Sequence, residues 1–188
     1  MKKTVLFLGS AILSLFLSQP AAACAPEYLC LSGSCWYELL NDPNFAGTTC
    51  SPQWVFPNGS SVINSTACSA VATPVAVLAP AYGTDGFRQD FTIPNEPGSL
   101  EVTLWVDTIG NAGSLDKVVL ELRNPTSGLL LWRKYVTTSA NTCGQRFDYT
   151  VSSLPGGGTM QLRVKGAIST SGVKFHVTGV QVFYIPET

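Results

Sequence analysis

Along most of this chain apolar and polar residues alternate with a period of two, the pattern of strands with one face buried and one exposed. In "SLEVTLWVD" Leu100, Val102, Leu104 and Val106 share one face, while Glu101, Thr103, Trp105 and Asp107 share the other. In "KVVLELRN" Val118, Leu120 and Leu122 oppose Val119, Glu121 and Arg123. "RFDYTVS" aligns Phe147, Tyr149 and Val151, and "TMQLRVK" sets Met160, Leu162 and Val164 against Gln161, Arg163 and Lys165. These segments predict two-faced strands from about Tyr37 onward.

Turn-forming clusters separate them: Pro57-Asn58-Gly59, Gly83 to Gly86, Asn95 to Gly98, Gly110 to Gly113, Asn124 to Gly128 and Pro155 to Gly158. No window carries a helical stripe capped at both ends. Charged residues make up 12% of the chain, too few to clothe several surface helices. Many short strands with frequent turns imply an all-β sandwich or barrel. The last segment, "VKFHVTGVQVFYIP", has Phe175 and Val177 on one parity and Val180, Val182 and Tyr184 on the other, which predicts a β-bulge at Gly179.

The first residues change the picture of where this sandwich works. Lys2 and Lys3, an apolar run from Val5 to Leu17 and Ala21-Ala22-Ala23 have the layout of a secretory signal peptide, too short to span a bilayer. The expected organisation is therefore a leader at 1–23, a cysteine-rich segment at 24–36 and a sandwich domain at 37–188. The expected location is secreted, periplasmic or cell-surface in a bacterium, with lipid anchoring at Cys24 as the alternative. All six cysteines, Cys24, Cys30, Cys35, Cys50, Cys68 and Cys143, follow the leader, so three disulfides of unassigned pairing are expected. A metal site is disfavoured, because there is no C-x-x-C pair and His176 is the single histidine. Without Lys2 and Lys3, nine basic residues face twelve acidic ones, and no basic stripe appears along the chain, which argues against a nucleic-acid partner.

The order of segments resembles carbohydrate-binding modules with the galactose-binding-like jelly-roll fold. "LLNDPNFAG", with Trp54 downstream, resembles their opening; "FRQDFTIP", "LEVTLWV" and "DKVVLELRNPTSGLLL" resemble their middle strands, and "VKFHVTGVQVFYIP" their last. The resemblance covers roughly residues 37–186 and implies a jelly-roll β-sandwich that binds poly- or oligosaccharide. Many such modules hold a structural calcium with an acidic residue just after the opening Phe and an Asp in the final strand. The matching positions here are Ala46 and Thr178 or Gly179, so no calcium and no other cofactor is expected, with disulfides doing the stapling.

Sugars are held by aromatic rings against their C–H faces and by planar polar groups on their hydroxyls. Trp105 qualifies by its outward parity, Glu121 and Arg123 share an outward face, and Trp132 and Tyr135 in "LLLWRKYV" have opposite parity, so that at most one joins that face. Gln161, Arg163 and His176 add outward polar positions, whereas Trp54 and Tyr184 read as core or rim. No catalytic residue is assigned: there is no G-x-S-x-G elbow, any triad would depend on His176, and the spacing of Glu101, Asp107, Glu121 and Asp148 is not readable from sequence. The expected function is a non-catalytic carbohydrate-binding module. The alternatives are a disulfide-stapled structural or adhesive surface protein that contacts other proteins or cell-surface components, and a small hydrolase.

Overall fold

In a computed structural model of the chain, residues 27–31, 34–47, 53–57, 60–68, 73–80 and 86–187 are described. The expected leader at 1–23, Cys24 and Cys50 lie outside them. Eleven strands make two sheets, and no α-helix occurs among the described residues. The fold is an all-β sandwich of the jelly-roll kind.

The first sheet is built around the long closing strand β11 (Lys174–Pro186). One edge of β11 pairs along its length with β6 (Gly98–Ile109), which pairs in turn with β9 (Gln145–Leu154). Its other edge is shared: β4 (Thr73–Leu78) pairs with the half before the bulge, and β2 (Ser34–Glu38) with the half after it. β3 (Val62–Ser65) and β1 (Glu27–Leu31) extend these two wings. The second sheet runs β5 (Phe87–Thr92), β10 (Thr159–Ala167), β7 (Lys117–Arg123), β8 (Leu130–Val136), all antiparallel.

The alternation read from sequence is the alternation the fold uses. Leu100, Val102, Leu104 and Val106 from β6 meet Leu120, Leu122, Leu162 and Val164 from the second sheet, and every one is fully buried. Removing such side chains from water is what holds the sheets together, at about 1.5–3 kcal/mol for each large apolar residue. The register along β11 shifts between Thr178 and Gln181, and Gly179 sits there at φ +58°. The shift restores inward orientation to Val180, Val182 and Tyr184 after the parity change.

The boundary expected near Trp36 falls inside β2, whose Tyr37 and Glu38 pair with Tyr184 and Phe183. The described residues of the cysteine-rich segment, 27–31 and 34–36, thus belong to two paired strands that form a wing of the first sheet. Its cross-strand disulfide joins Cys30 to Cys35, which are register partners. A second bridge joins Cys68 to Cys143, 75 residues apart, and ties the chain beyond β3 to the turn before β9.

The stretch "LLNDPNFAG" is a loop after β2 that runs beside β11, where Leu39 N–H donates to the Val182 carbonyl and Val180 N–H to the Pro43 carbonyl. Leu39 and Leu40 are buried, and the Gln89 side chain exchanges two hydrogen bonds with the Asn41 backbone, accepting from its N–H (2.8 Å) and donating to its carbonyl (3.0 Å). Asp42 and Phe45 adopt positive φ, and the Asp42 carboxylate accepts the N–H groups of Ala46 (2.7 Å) and Gly47 (2.9 Å). Phe45 then packs against Trp54, Phe56 and Phe87, while Trp54 Nε1 donates to the Asp42 carbonyl. The donor set does not fit a hard cation, because Ala46 offers a methyl group and the Asp42 oxygens accept backbone N–H groups.

Candidate binding face

The outward residues of the second sheet form one surface, polar along β5 and β10 and mixed with Val119, Leu131 and Tyr135 toward β8. Because β5, β10, β7 and β8 are neighbours, register places Arg88, Arg163, Glu121 and Arg133 side by side across all four strands. At about 4.8 Å per strand this row is roughly 14 Å long. Asp90, Gln161 and Arg123 form the adjacent row, and Lys165, Val119 and Tyr135 lie on the other side.

Glu121 organises the surface. Its side chain is 1% exposed, and its carboxylate accepts from Arg133 Nε (2.9 Å) and Nη2 (2.7 Å) on one oxygen and from Arg123 Nε (2.9 Å) on the other. Lys165 Nζ is 3.4 Å away. Burial opposes ionisation, but the hydrogen bonds from Arg123 and Arg133 and the charge of Lys165 outweigh it, bringing the Glu121 carboxyl down to about 2. The cations themselves keep water contact, with side-chain exposures of 22% for Arg123, 37% for Arg133 and 23% for Lys165. Val119 is buried as well as Glu121, so β7 is covered on both faces.

The same device recurs one strand away. Gln161, itself buried, donates to Asp90 (2.6 Å) and accepts from Arg163 Nε. Arg123, Arg133 and Arg163 thus each use their Nε–H on an acceptor set in the sheet surface, which orients the guanidinium and leaves further N–H groups over. At the β8 edge Tyr135 is 52% and Leu131 44% exposed, and Lys117 Nζ stands 5.5 Å from the centre of the Tyr135 ring.

The five candidate residues do not form one site. Glu121, Arg123 and Tyr135 belong to this face. Trp105 lies on the outer face of the other sheet, over Gly179 of β11 and 5.1 Å from the Arg146 guanidinium of β9. Trp132 points between the sheets at their open edge, against Tyr149. Parity tells inside from outside on each strand, but it does not say which sheet a strand joins. The residues not singled out for this face, Arg88, Arg133 and Lys117, share outward parity with polar neighbours, a signal visible in "FRQDF", "LWRKY" and "DKVVL" once the strand order is known.

His176, read as outward and polar, is 6% exposed. Its Nδ1 lies 3.2 Å from the Ser65 hydroxyl, beside a cavity of about 280 Å³ lined by Ser65, Thr73, Val75, Asp107 and the Cys68–Cys143 bridge. Burial lowers the His176 pKa, with Lys174 acting in the same sense and Asp107 against it. The Ser65 oxygen also accepts the Ala67 N–H, and Asp107, opposite His176 in register, accepts the Gly144 N–H (2.6 Å). These bonds cross-link β3, β6, β11 and the turn before β9. Cys68, Asp107 and Cys143 bring three metal-type ligand atoms together, but the two sulfurs are bonded to each other.

No protein-family model matches the chain, and neither does any curated protein. Solved structures do match. An arabinose-bound GH51 α-L-arabinofuranosidase, MgGH51, is 14% identical with a TM-score of 0.51 over 78% of this chain. The match takes in 26% of that enzyme, so the chain spans about a quarter of its length. The CBM22-1 xylan-binding domain of Paenibacillus barcinonensis Xyn10C is 14% identical over 89% of this chain and all of its own, with a TM-score of 0.49. TmCBM61, in complex with β-1,4-galactotriose, is 13% identical over 78% of this chain and 98% of its own, with a TM-score of 0.49. At these identities the likeness is one of fold.

Proposed function

We propose that this chain is a secreted, non-catalytic module that binds carbohydrate on the outer face of its second sheet. The observation that carries the reading is the set of arginines fixed around buried Glu121, next to exposed Tyr135. Tyr135 and Leu131 supply apolar surface for the C–H side of a sugar ring, and the oriented guanidiniums supply planar donors for its oxygens. Because those donors are held before the ligand arrives, binding loses little side-chain freedom. Glu121 touches no ligand in this reading: it is a positioning residue for Arg123 and Arg133.

A polysaccharide panel tests this. Retention on at least one glycan, lost in Tyr135→Ala and Arg133→Ala and kept in Trp105→Ala, is the expected result. Loss in Trp105→Ala with both other variants unaffected would move the site to the first sheet. No retention on any glycan would leave the reading as a surface protein that contacts other proteins.

A further inference from the structure

Although the chain is acidic overall, its basic residues are not spread evenly. Nine lie beyond the leader, and six of them, Arg88, Lys117, Arg123, Arg133, Arg163 and Lys165, are on the outer face of the second sheet. Among the described residues only two acids, Asp90 and Glu121, share that face. The outer face of the first sheet has the opposite balance: Glu101, Asp107 and Asp148 against Arg146 and Lys174.

We propose that the ligand of this face is an anionic polysaccharide, one bearing carboxylate or sulfate groups along its length. This rests on the carbohydrate reading above and names the substrate class of the same site. Three features support it. Glu121 neutralises one charge but draws on three cations, so the surface keeps a positive excess at every pH where a uronate or sulfate is ionised. Arg88 and Arg163, register partners at one end of the row, have no ion-pair partner among the described residues, and a carboxylate or sulfate matches a guanidinium edge in a bidentate fashion. The cations are spread along roughly 14 Å, which suits repeated charges on an extended chain rather than one small anion.

Nucleic acid is the rival polyanion. Proteins that hold single strands place several aromatic rings along the backbone groove for base stacking, whereas Tyr135 is the one exposed aromatic ring on this face among the described residues. Nor does a sheet face built of short guanidinium-tipped rows offer an element to enter a duplex groove.

The test is affinity electrophoresis of the full chain in polygalacturonate, dextran sulfate, neutral β-1,4-galactan, neutral xylan and single-stranded DNA. The expected result is retardation by at least one of the two anionic glycans, weakened by added salt. Arg88→Gln and Arg163→Gln are each expected to reduce it about tenfold, while Lys174→Gln on the opposite face leaves it unchanged. Stronger retardation by polygalacturonate assigns carboxylate as the recognised group, and stronger retardation by dextran sulfate assigns sulfate. Since Arg88 makes no side-chain hydrogen bond among the described residues, its variant separates lost binding from lost folding, checked by the unfolding midpoint. Retardation by neutral glycans alone would overturn the inference and leave the carbohydrate reading standing. Retardation by none would overturn both. Equal retardation by DNA, or equal loss in Lys174→Gln, would show unspecific attraction and overturn the inference.

Discussion

The Trp105 ring lies directly on the α-carbon of Gly179, leaving no room there for a methyl group. This one contact explains both residues. Gly179 takes the positive φ of the bulge, and its bare face is what lets the indole lie flat between β11 and β9, where Arg146 covers it. The outward-pointing tryptophan thereby covers backbone.

Gly179→Ala is expected to destabilise the protein by about 2–3 kcal/mol, combining the left-handed backbone with overpacking against the ring. In denaturant titrations, Trp105→Ala should cost less in the Gly179→Ala background than alone, because the clash it relieves is the one the alanine creates. Additive costs would show that the ring and the bulge are independent.

Glu121→Gln is expected to cost about 2–3 kcal/mol, since it removes the charge from a buried group while leaving three cations around it. The acid limb carries the same signature. A carboxyl held at about 2 when folded, below its ordinary 4.5, contributes stability that is complete above 4.5 and is lost as pH falls toward 2. Chemical unfolding between pH 5 and 2 should therefore fall less steeply in Glu121→Gln than in the parent protein.

His176 acts in a higher window. Burial lowers its pKa below the ordinary 6.5, so the folded state keeps the ring neutral where the unfolded chain already binds a proton. Stability from this group is complete above 6.5 and is lost as pH falls through 6.5 toward the folded value. The unfolding midpoint measured from pH 8 to 5 should drop in the parent protein and stay flatter in His176→Gln. An identical pH profile in the variant would remove His176 as the cause.

Breaking the Cys68–Cys143 bridge opens the longer of the two described loops. With the cysteines 75 residues apart, loop-closure entropy predicts a loss of about 4.5 kcal/mol for the Cys68→Ser, Cys143→Ser double variant. Cys30→Ser, Cys35→Ser should cost less, because that bridge closes a loop of 5 residues. Glycan retention should survive in both, as both bridges belong to the first-sheet side. Thermal unfolding alongside the panel measures the two effects together.

The strands β6, β7, β9 and β10, their inward residues and the bulge at Gly179 follow from the sequence alone, because each depends on local alternation: Leu100 through Val106, Leu120, Leu122 and the switch of parity before Val180 are where it places them, whereas β1, β3 and β4 carry no alternation long enough to announce them. The resemblance carried by "LLNDPNFAG" and "FRQDFTIP" also has a physical basis, since Gln89 bonds the Asn41 backbone and joins the two segments. What alternation leaves open is which strands become neighbours. Only the tertiary structure put Trp105 and Glu121 on opposite outer faces and turned Trp132 inward to Tyr149. Only it gathered Arg88, Arg133 and Lys165, distant in a chain without a basic stripe, onto one surface. Parity is a property of a single strand, whereas a binding face belongs to the sheet, and sheet order is decided by long-range pairing that no local pattern records.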